Sequence, residues 1–359
     1  MRLKKFRLRP STKLFLSLVL IHIFFLPAIL LSQPAFYQGK TITIIQGRDP
    51  GGLGPLRMTA LMPFLQKHIP GNPHIVTEYM PGGGGRKAAN HLYRSVRSDG
   101  LTIGNIGAGF VANAILGEPG VQYDIDKFIY LGSGNSVTSY VFLSKKELGL
   151  NTLERLRAAS GLRVGAQSVG HDIYIMARLF SWLLDIKDPK FVTGYSGPEL
   201  DVALLRGEID LRTTVTYNLL KQNPDWAEKG LMDFHVIIEI PRGLRAPHAR
   251  FAKVPELETF AKTDIERKVL QLIRNLRLIG SPSVLPAGTP KDRVELLQEA
   301  FRKAYKDPQF HESWRNITGE PASPLMPEEQ EKAIKEIPRD REVIDLAKRL
   351  AGAVPLPPR

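Results

Sequence analysis

The chain contains no cysteine in its 359 residues. That excludes a disulfide framework, a thiolate nucleophile, Cys-ligated zinc or iron–sulfur centres, and a lipid-modified cysteine at a processed N-terminus. Its eight histidines (His22, His68, His74, His91, His171, His235, His248 and His311) include no pair at i, i+4 and no H-E-x-x-H, so no metal and no cofactor is expected. Internal repeats of 20 to 50 residues and low-complexity tracts are also missing. What is present is ordinary for a folded protein: 43% apolar and 24% charged residues exclude general disorder. At about 150 residues per domain, the length suggests about two domains.

The net charge of +13 is unevenly placed. Arg2, Lys4, Lys5, Arg7, Arg9 and Lys13 fall in residues 1–35, which hold no acid, leaving a net +7 for the other 324 residues. That remainder is diffuse and interleaved with acids, which argues against nucleic-acid binding. Directly after the basic stretch, Leu14 to Leu31 is apolar apart from Ser17, His22 and Pro27, and Ser32-Gln33-Pro34-Ala35 follows. This order reads as an export signal over 1–35, with an uncleaved membrane anchor as the alternative, because cutting after Ala35 leaves Gln33 where a small residue is preferred. A periplasmic location follows, with the body of the protein beginning near Phe36.

Within the body, strand, glycine loop and helix recur. Lys40 to Ile45 alternates Thr and Ile, breaks at Gly47 to Pro55, and gives way to a helical pattern through His68. Ile75 to Tyr79, Pro81 to Gly85 and Arg86 to Ser95 repeat the cycle, as do Leu101 to Ile106 and Gly107-Ala108-Gly109. A second series runs from strands at Ile129 to Leu131 and Tyr140 to Ser144 through Arg163 to Ala166, Phe191 to Thr193, Ile209 to Arg212 and Val236 to Ile240. Helical patterns dominate from Arg267 onward. The expected class is α/β, with two doubly wound domains.

Three loops could meet a ligand. Pro50-Gly51-Gly52-Leu53-Gly54 offers successive unencumbered backbone N–H groups before a helix, a cradle for a carboxylate or phosphate. Gly107-Ala108-Gly109 begins a G-x-G-x-x-A match, a weak dinucleotide fingerprint whose ribose-binding acid would have to be Asp124 or Asp126. Gln167-Ser168-Val169-Gly170-His171 resembles a nucleophile elbow, so a serine hydrolase with Ser168 as nucleophile and His235, His248 or His311 as base is the enzymatic alternative. No catalytic constellation is assembled in the sequence. A binder, not an enzyme, is the expectation.

Several strings, read in order, resemble a known family: KTITIIQGRDPGGLGPLRM, HIPGNPHIVTEYMPGGGGRKAANHLY, RSDGLTIGNIGAG, VGAQSVGHDIYIMARLF, FVTGYSGPELDVALLRGEIDLR and LPAGTPKDRVELLQEAFRKAYKDP. They resemble the substrate-binding proteins of tripartite tricarboxylate transporters, the Bug family, over nearly all of residues 37–350. The resemblance implies a two-lobed periplasmic-binding-protein fold that closes over a small di- or tricarboxylate-like acid and presents it to membrane transporter subunits, acting as a monomer. It implies lobe one at 37–142 plus 278–359 and lobe two at 143–277. It also implies ligand contact, mainly through backbone amides, at Pro50, Gly51, Gly52 and Leu53, at Gly107, Ala108 and Gly109, at Gln167, Ser168, Val169, Gly170 and His171, and at Tyr195, Ser196 and Gly197. Leu53 replaces a glycine common in the family. Asp49 would repel an anion unless Arg48 pairs with it or it points outward. A sensor component built on the same fold is the other alternative.

Overall fold

The computed structural model describes residues 35–50, 53–244 and 248–359. The expected export signal, and Gly51 and Gly52 of the first loop, lie outside the described residues. The elements in chain order are β1 (Thr41–Gln46), α1 (Leu53–His68), β2 (His74–Tyr79), α2 (Arg86–Arg94), β3 (Thr102–Asn105), α3 (Gly109–Ile115) and β4 (Ile129–Gly132). Next come β5 (Thr138–Lys145), α4 (Leu153–Ala158), β6 (Arg163–Gly165), α5 (Asp172–Leu183), β7 (Lys190–Val192), α6 (Gly197–Arg206), β8 (Leu211–Val215), α7 (Thr216–Gln222), α8 (Pro224–Glu228) and β9 (Met232–Ile240). The last are α9 (Asp264–Leu278), β10 (Ser283–Leu285), α10 (Lys291–Lys306), α11 (Pro308–Thr318), α12 (Pro327–Lys335) and α13 (Arg341–Ala351).

Two five-stranded sheets result, in the orders β2-β1-β3-β10-β4 and β7-β6-β8-β5-β9. Each has a parallel core, β2-β1-β3 or β7-β6-β8, extended by antiparallel strands. In β1 the alternation works as expected: Ile42 and Ile44 are fully buried and pack with Met58, Leu61 and Leu65 of α1 and with Phe301 and Phe310. A second apolar cluster covers the other face of sheet one and runs on through Ile279 and Ile334 into lobe two, so the lobes share a packed seam.

Two expected boundaries need correction. Residue 142 falls inside β5, which pairs wholly with β8 and β9 of sheet two, so the chain changes lobe between Gly132 and Thr138. The C-terminal segment also changes lobe. Helix α12 packs on β4 of lobe one, whereas α13 packs on α5 and α9. The cause is a buried cation: Arg178 of α5 donates to the carbonyls of Arg349, Leu350 and Val354, which caps the end of α13. Arg359 then pairs with Glu266 at 2.7 Å and Asp185 at 2.9 Å. Two strands are also shifted. β8 begins at Leu211, because Ile209 is drawn under Gly165, and β9 starts at Met232, where pairing with Lys145 already begins.

The crossings are knitted by small hydroxyl side chains. Ser281 N donates to Ser133 Oγ (3.0 Å), and Ser323 Oγ accepts from Ser136 N (2.9 Å) and Val137 N (3.0 Å). Gly280 has φ +61, and a Cβ there would stand 1.8 Å from the carbonyl oxygen of Asn135, so only glycine fits this close approach.

Candidate functional site

Strand β1 delivers Gly47 and Arg48 to the carboxyl end of sheet one, beside the first turn of α1. The Arg48 guanidinium passes between two glycines. A Cβ on Gly54 would lie 1.9 Å from its Nη1, and a Cβ on Gly107 would lie 2.8 Å from its Nη2. Nη1 donates to Ser281 Oγ at the hinge (3.2 Å), and Nη2 is buried without a hydrogen-bond partner among the described residues. Burial, and then the nearby charge of Arg57, lower the Arg48 pKa to about 10. It still carries its charge at neutral pH. No acid pairs with it among the described residues, and Asp49 is exposed, so of the two arrangements considered for Asp49 the unpaired, solvent-facing one is found.

The loop after β3 lies against this arginine. Gly107, Ala108 and Gly109 are half-buried. A Cβ on Gly109 would come within 2.5 Å of the Gly84 carbonyl oxygen, which shows that this glycine serves to seat one loop on another. The Pro81 to Gly85 segment is that partner: Gly82, Gly83, Gly84 and Gly85 all have positive φ, and Asn113 Nδ2 donates to the Gly83 carbonyl (2.8 Å). Of the two acids the dinucleotide alternative could use, Asp126 is paired with Arg339 at 2.5 Å and Asp124 lies 3.8 Å from Lys127 Nζ. Pro50 and Leu53 are exposed, Leu53 in the first turn of α1.

Lobe two brings its loops to the carboxyl ends of β6 and β7. Ser168, Val169, Gly170 and His171 are exposed and Gln167 is half-buried. His171 Nδ1 accepts from Ile173 N (3.2 Å) and so caps α5, and Glu199 accepts from Ser196 N (2.7 Å) at the start of α6, which lowers the Glu199 pKa. Gly197 lies close to Gln167, while Tyr195 donates to Glu208 (3.4 Å). Part of the anion-binding capacity of these two helix ends is therefore already used by the protein itself.

A line of charges joins the two sets of loops. Asp172, directly after His171, pairs with Arg277 of α9, and both act on Tyr140, a buried residue of β5 whose pKa is pushed up to about 12 chiefly by desolvation. Arg57 of α1 also acts on Tyr140 and on Arg48. Arg57 itself is paired with Glu320 at 2.6 Å. The sequence reasoning missed Arg57, Tyr140, Arg277 and Ser281, and treated Arg48 only as a partner for Asp49. The available signal was a single arginine set between glycine-rich turns at a strand end.

The hydrolase alternative is not supported by the geometry. His235 Nε2 shares a hydrogen bond with Ser144 Oγ (2.9 Å) in the core of lobe two, where burial lowers its pKa to about 4. His311 Nε2 is engaged with the Tyr305 carbonyl (2.8 Å) and His248 Nδ1 with Arg250 N (3.2 Å). None is hydrogen-bonded to Ser168 among the described residues. Among those residues, too, no cluster of three or more His, Cys, Asp or Glu could hold a metal ion, and no helix is long and apolar enough to cross a membrane.

No protein-family model matches the chain, and no curated protein matches its sequence. Solved structures do match. A TctC solute-binding protein from Polaromonas superposes with a TM-score of 0.64 at 16% identity, covering 88% of this chain and 98% of its own. The fold is that of the two-lobed solute-binding proteins. The periplasmic binding protein BugD aligns with a TM-score of 0.54 at 17% identity over 88% of this chain and 98% of its own. MatC from Rhodopseudomonas palustris, solved with bound malate, aligns with a TM-score of 0.52 at 20% identity over 87% and 99%.

Proposed function

We propose that this chain is a periplasmic solute-binding protein that captures a small organic acid between its lobes and delivers it to a tripartite tricarboxylate-type membrane transporter. The observation that carries the reading is Arg48: a guanidinium with no acidic partner among the described residues, set between two glycines at a strand end and hydrogen-bonded to the hinge. A half-buried cation held in that way has its strongest available interaction with a carboxylate, through charge-assisted hydrogen bonds. Solute binding by hinge closure needs no covalent step, which fits the dispersal of every candidate base for Ser168. The likeness to MatC, whose structure holds malate, supports a carboxylate. The basic and then apolar N-terminus supports export.

The test is thermal melting of the purified chain against a panel of organic acids, together with mass spectrometry of whatever co-purifies. At a hundredfold excess of ligand over Kd, binding to the native state adds about 2.7 kcal/mol of stability. A flat response to every acid, with no acid co-purifying, overturns the reading. Labelling of Ser168 by a fluorophosphonate probe would favour the hydrolase instead.

A further inference from the structure

Counting charges at the cleft narrows the ligand class, on the premise that the organic-acid reading above is right. Three guanidiniums lie along the line that joins the lobes. Arg57 is neutralised by Glu320 and Arg277 by Asp172, whereas Arg48 has no acid against it among the described residues. Asp49, next to Arg48, is exposed and adds a negative charge at the same loop. Along that line the one unpaired guanidinium among the described residues is therefore that of Arg48, and a second or third carboxylate on the same small ligand would find Arg57 and Arg277 already paired.

Large aliphatic side chains are exposed on the candidate loops of both lobes. Leu53 and Leu56, in the first turn of α1, are 37% and 40% exposed, and Val169, in the loop after β6, is 49% exposed. Large aliphatic side chains on the loops of both lobes would lose their water when the lobes close on a ligand with a hydrocarbon body, and such burial is favourable in proportion to its area. A polar or multiply charged body would instead be desolvated against them without partners.

We propose that the ligand is a monocarboxylate with an apolar body, its single carboxylate held by Arg48 and its hydrocarbon part clasped between Leu53 and Leu56 of lobe one and Val169 of lobe two. The probes are hexanoate and benzoate as monoacids, adipate and citrate as polyacids, and hexanamide as the uncharged control, each titrated calorimetrically into the purified chain. Hexanoate or benzoate should bind at least tenfold more tightly than adipate or citrate, and hexanamide should not bind measurably. The double variant Leu53→Asn with Val169→Asn should weaken the monoacid at least tenfold, with its melting temperature in the absence of ligand unchanged, since both side chains are exposed. Tighter binding of adipate or citrate than of hexanoate and benzoate overturns the monocarboxylate proposal and leaves the organic-acid reading intact. No binding of any acid overturns both. Unchanged monoacid affinity in a folded double variant overturns the role of the apolar walls, and if that variant does not fold, the comparison of hexanoate with adipate decides.

Discussion

The candidate loops of the two lobes are built in opposite ways. Lobe one offers tight, interlocked glycines and a fixed charge: Gly54 and Gly107 enclose Arg48, and Gly109 rests on Gly84. Lobe two offers open glycines with no neighbour: Gly170 and Gly194 have nothing within 4 Å of where a Cβ would stand. Its helix ends are already capped by His171 and Glu199. Gly54, Gly107 and Gly109 are thus required for packing, whereas Gly170 and Gly194, at φ +80 and +109, are required for conformation. On the proposed reading this is a division of labour in which lobe one would hold the anion and lobe two would adapt around what the anion is attached to.

The largest effect that would separate the lobes is acid. His235 lies in the core of lobe two, and burial lowers its pKa to about 4. Between about pH 6.5 and pH 4 the unfolded chain takes up a proton there that the folded chain does not, so stability is full above the unfolded value and is lost as the pH falls. The loss by pH 4 is on the order of 3 kcal/mol. Urea unfolding at pH 7 and pH 4.5 should show a smaller drop in His235→Gln than in the parent chain, and equal drops would contradict this.

Next in size is the loss of the anchor. Arg48→Met should weaken acid binding about 100-fold, roughly 2.7 kcal/mol, by removing the charge-assisted hydrogen bonds. Ser196→Ala in lobe two should cost less than tenfold, because its backbone N–H is already held by Glu199. Calorimetric titration of both variants checks the ranking, and a larger loss in Ser196→Ala would reverse the division of labour.

The glycines give a stability version of the same comparison. Gly109→Ala forces a methyl group against the Gly84 carbonyl and should destabilise the protein by about 1–3 kcal/mol. Gly194→Ala meets no neighbour, and only its backbone φ of +109 resists the side chain, so about 1 kcal/mol is expected. Denaturant midpoints for the pair should differ in that order. An aspartate at Gly109 would likewise disturb loop packing before it touched any ligand.

The smallest effect belongs to the contact between lobes. Tyr217 of α7 donates to the Gly319 carbonyl at the end of α11, with Lys221 Nζ 3.3 Å from the same oxygen. Tyr217→Phe should change ligand affinity by about five-fold or less, around 1 kcal/mol, since Lys221 keeps the carbonyl partnered. A larger change in affinity would show that closure depends on this contact.

Much of the fold was legible in the sequence, because period-two Thr and Ile in Thr41 to Ile45 and glycine loops before periodic helices are local signals. The antiparallel placement of β5 and β10 was not, since which neighbour a strand takes depends on contacts far away in the chain. The lobe assignment of α13 was hidden for the same reason: it depends on Arg178 reaching carbonyls more than 170 residues away. For the site, the loops could be named from their glycines. The inward course of Arg48 could not, because it requires Gly54, Gly107 and Ser281 to meet around it, and only the folded chain brings them together.

The central claim is that a carboxylate is held on Arg48 between the lobes. A crystal structure of the chain with the acid that stabilises it most tests this directly. The account predicts a carboxylate oxygen about 3 Å from the Arg48 guanidinium, with the rest of the ligand against Leu53 and Val169. A carboxylate held elsewhere, with Arg48 contacting only Ser281, would contradict it.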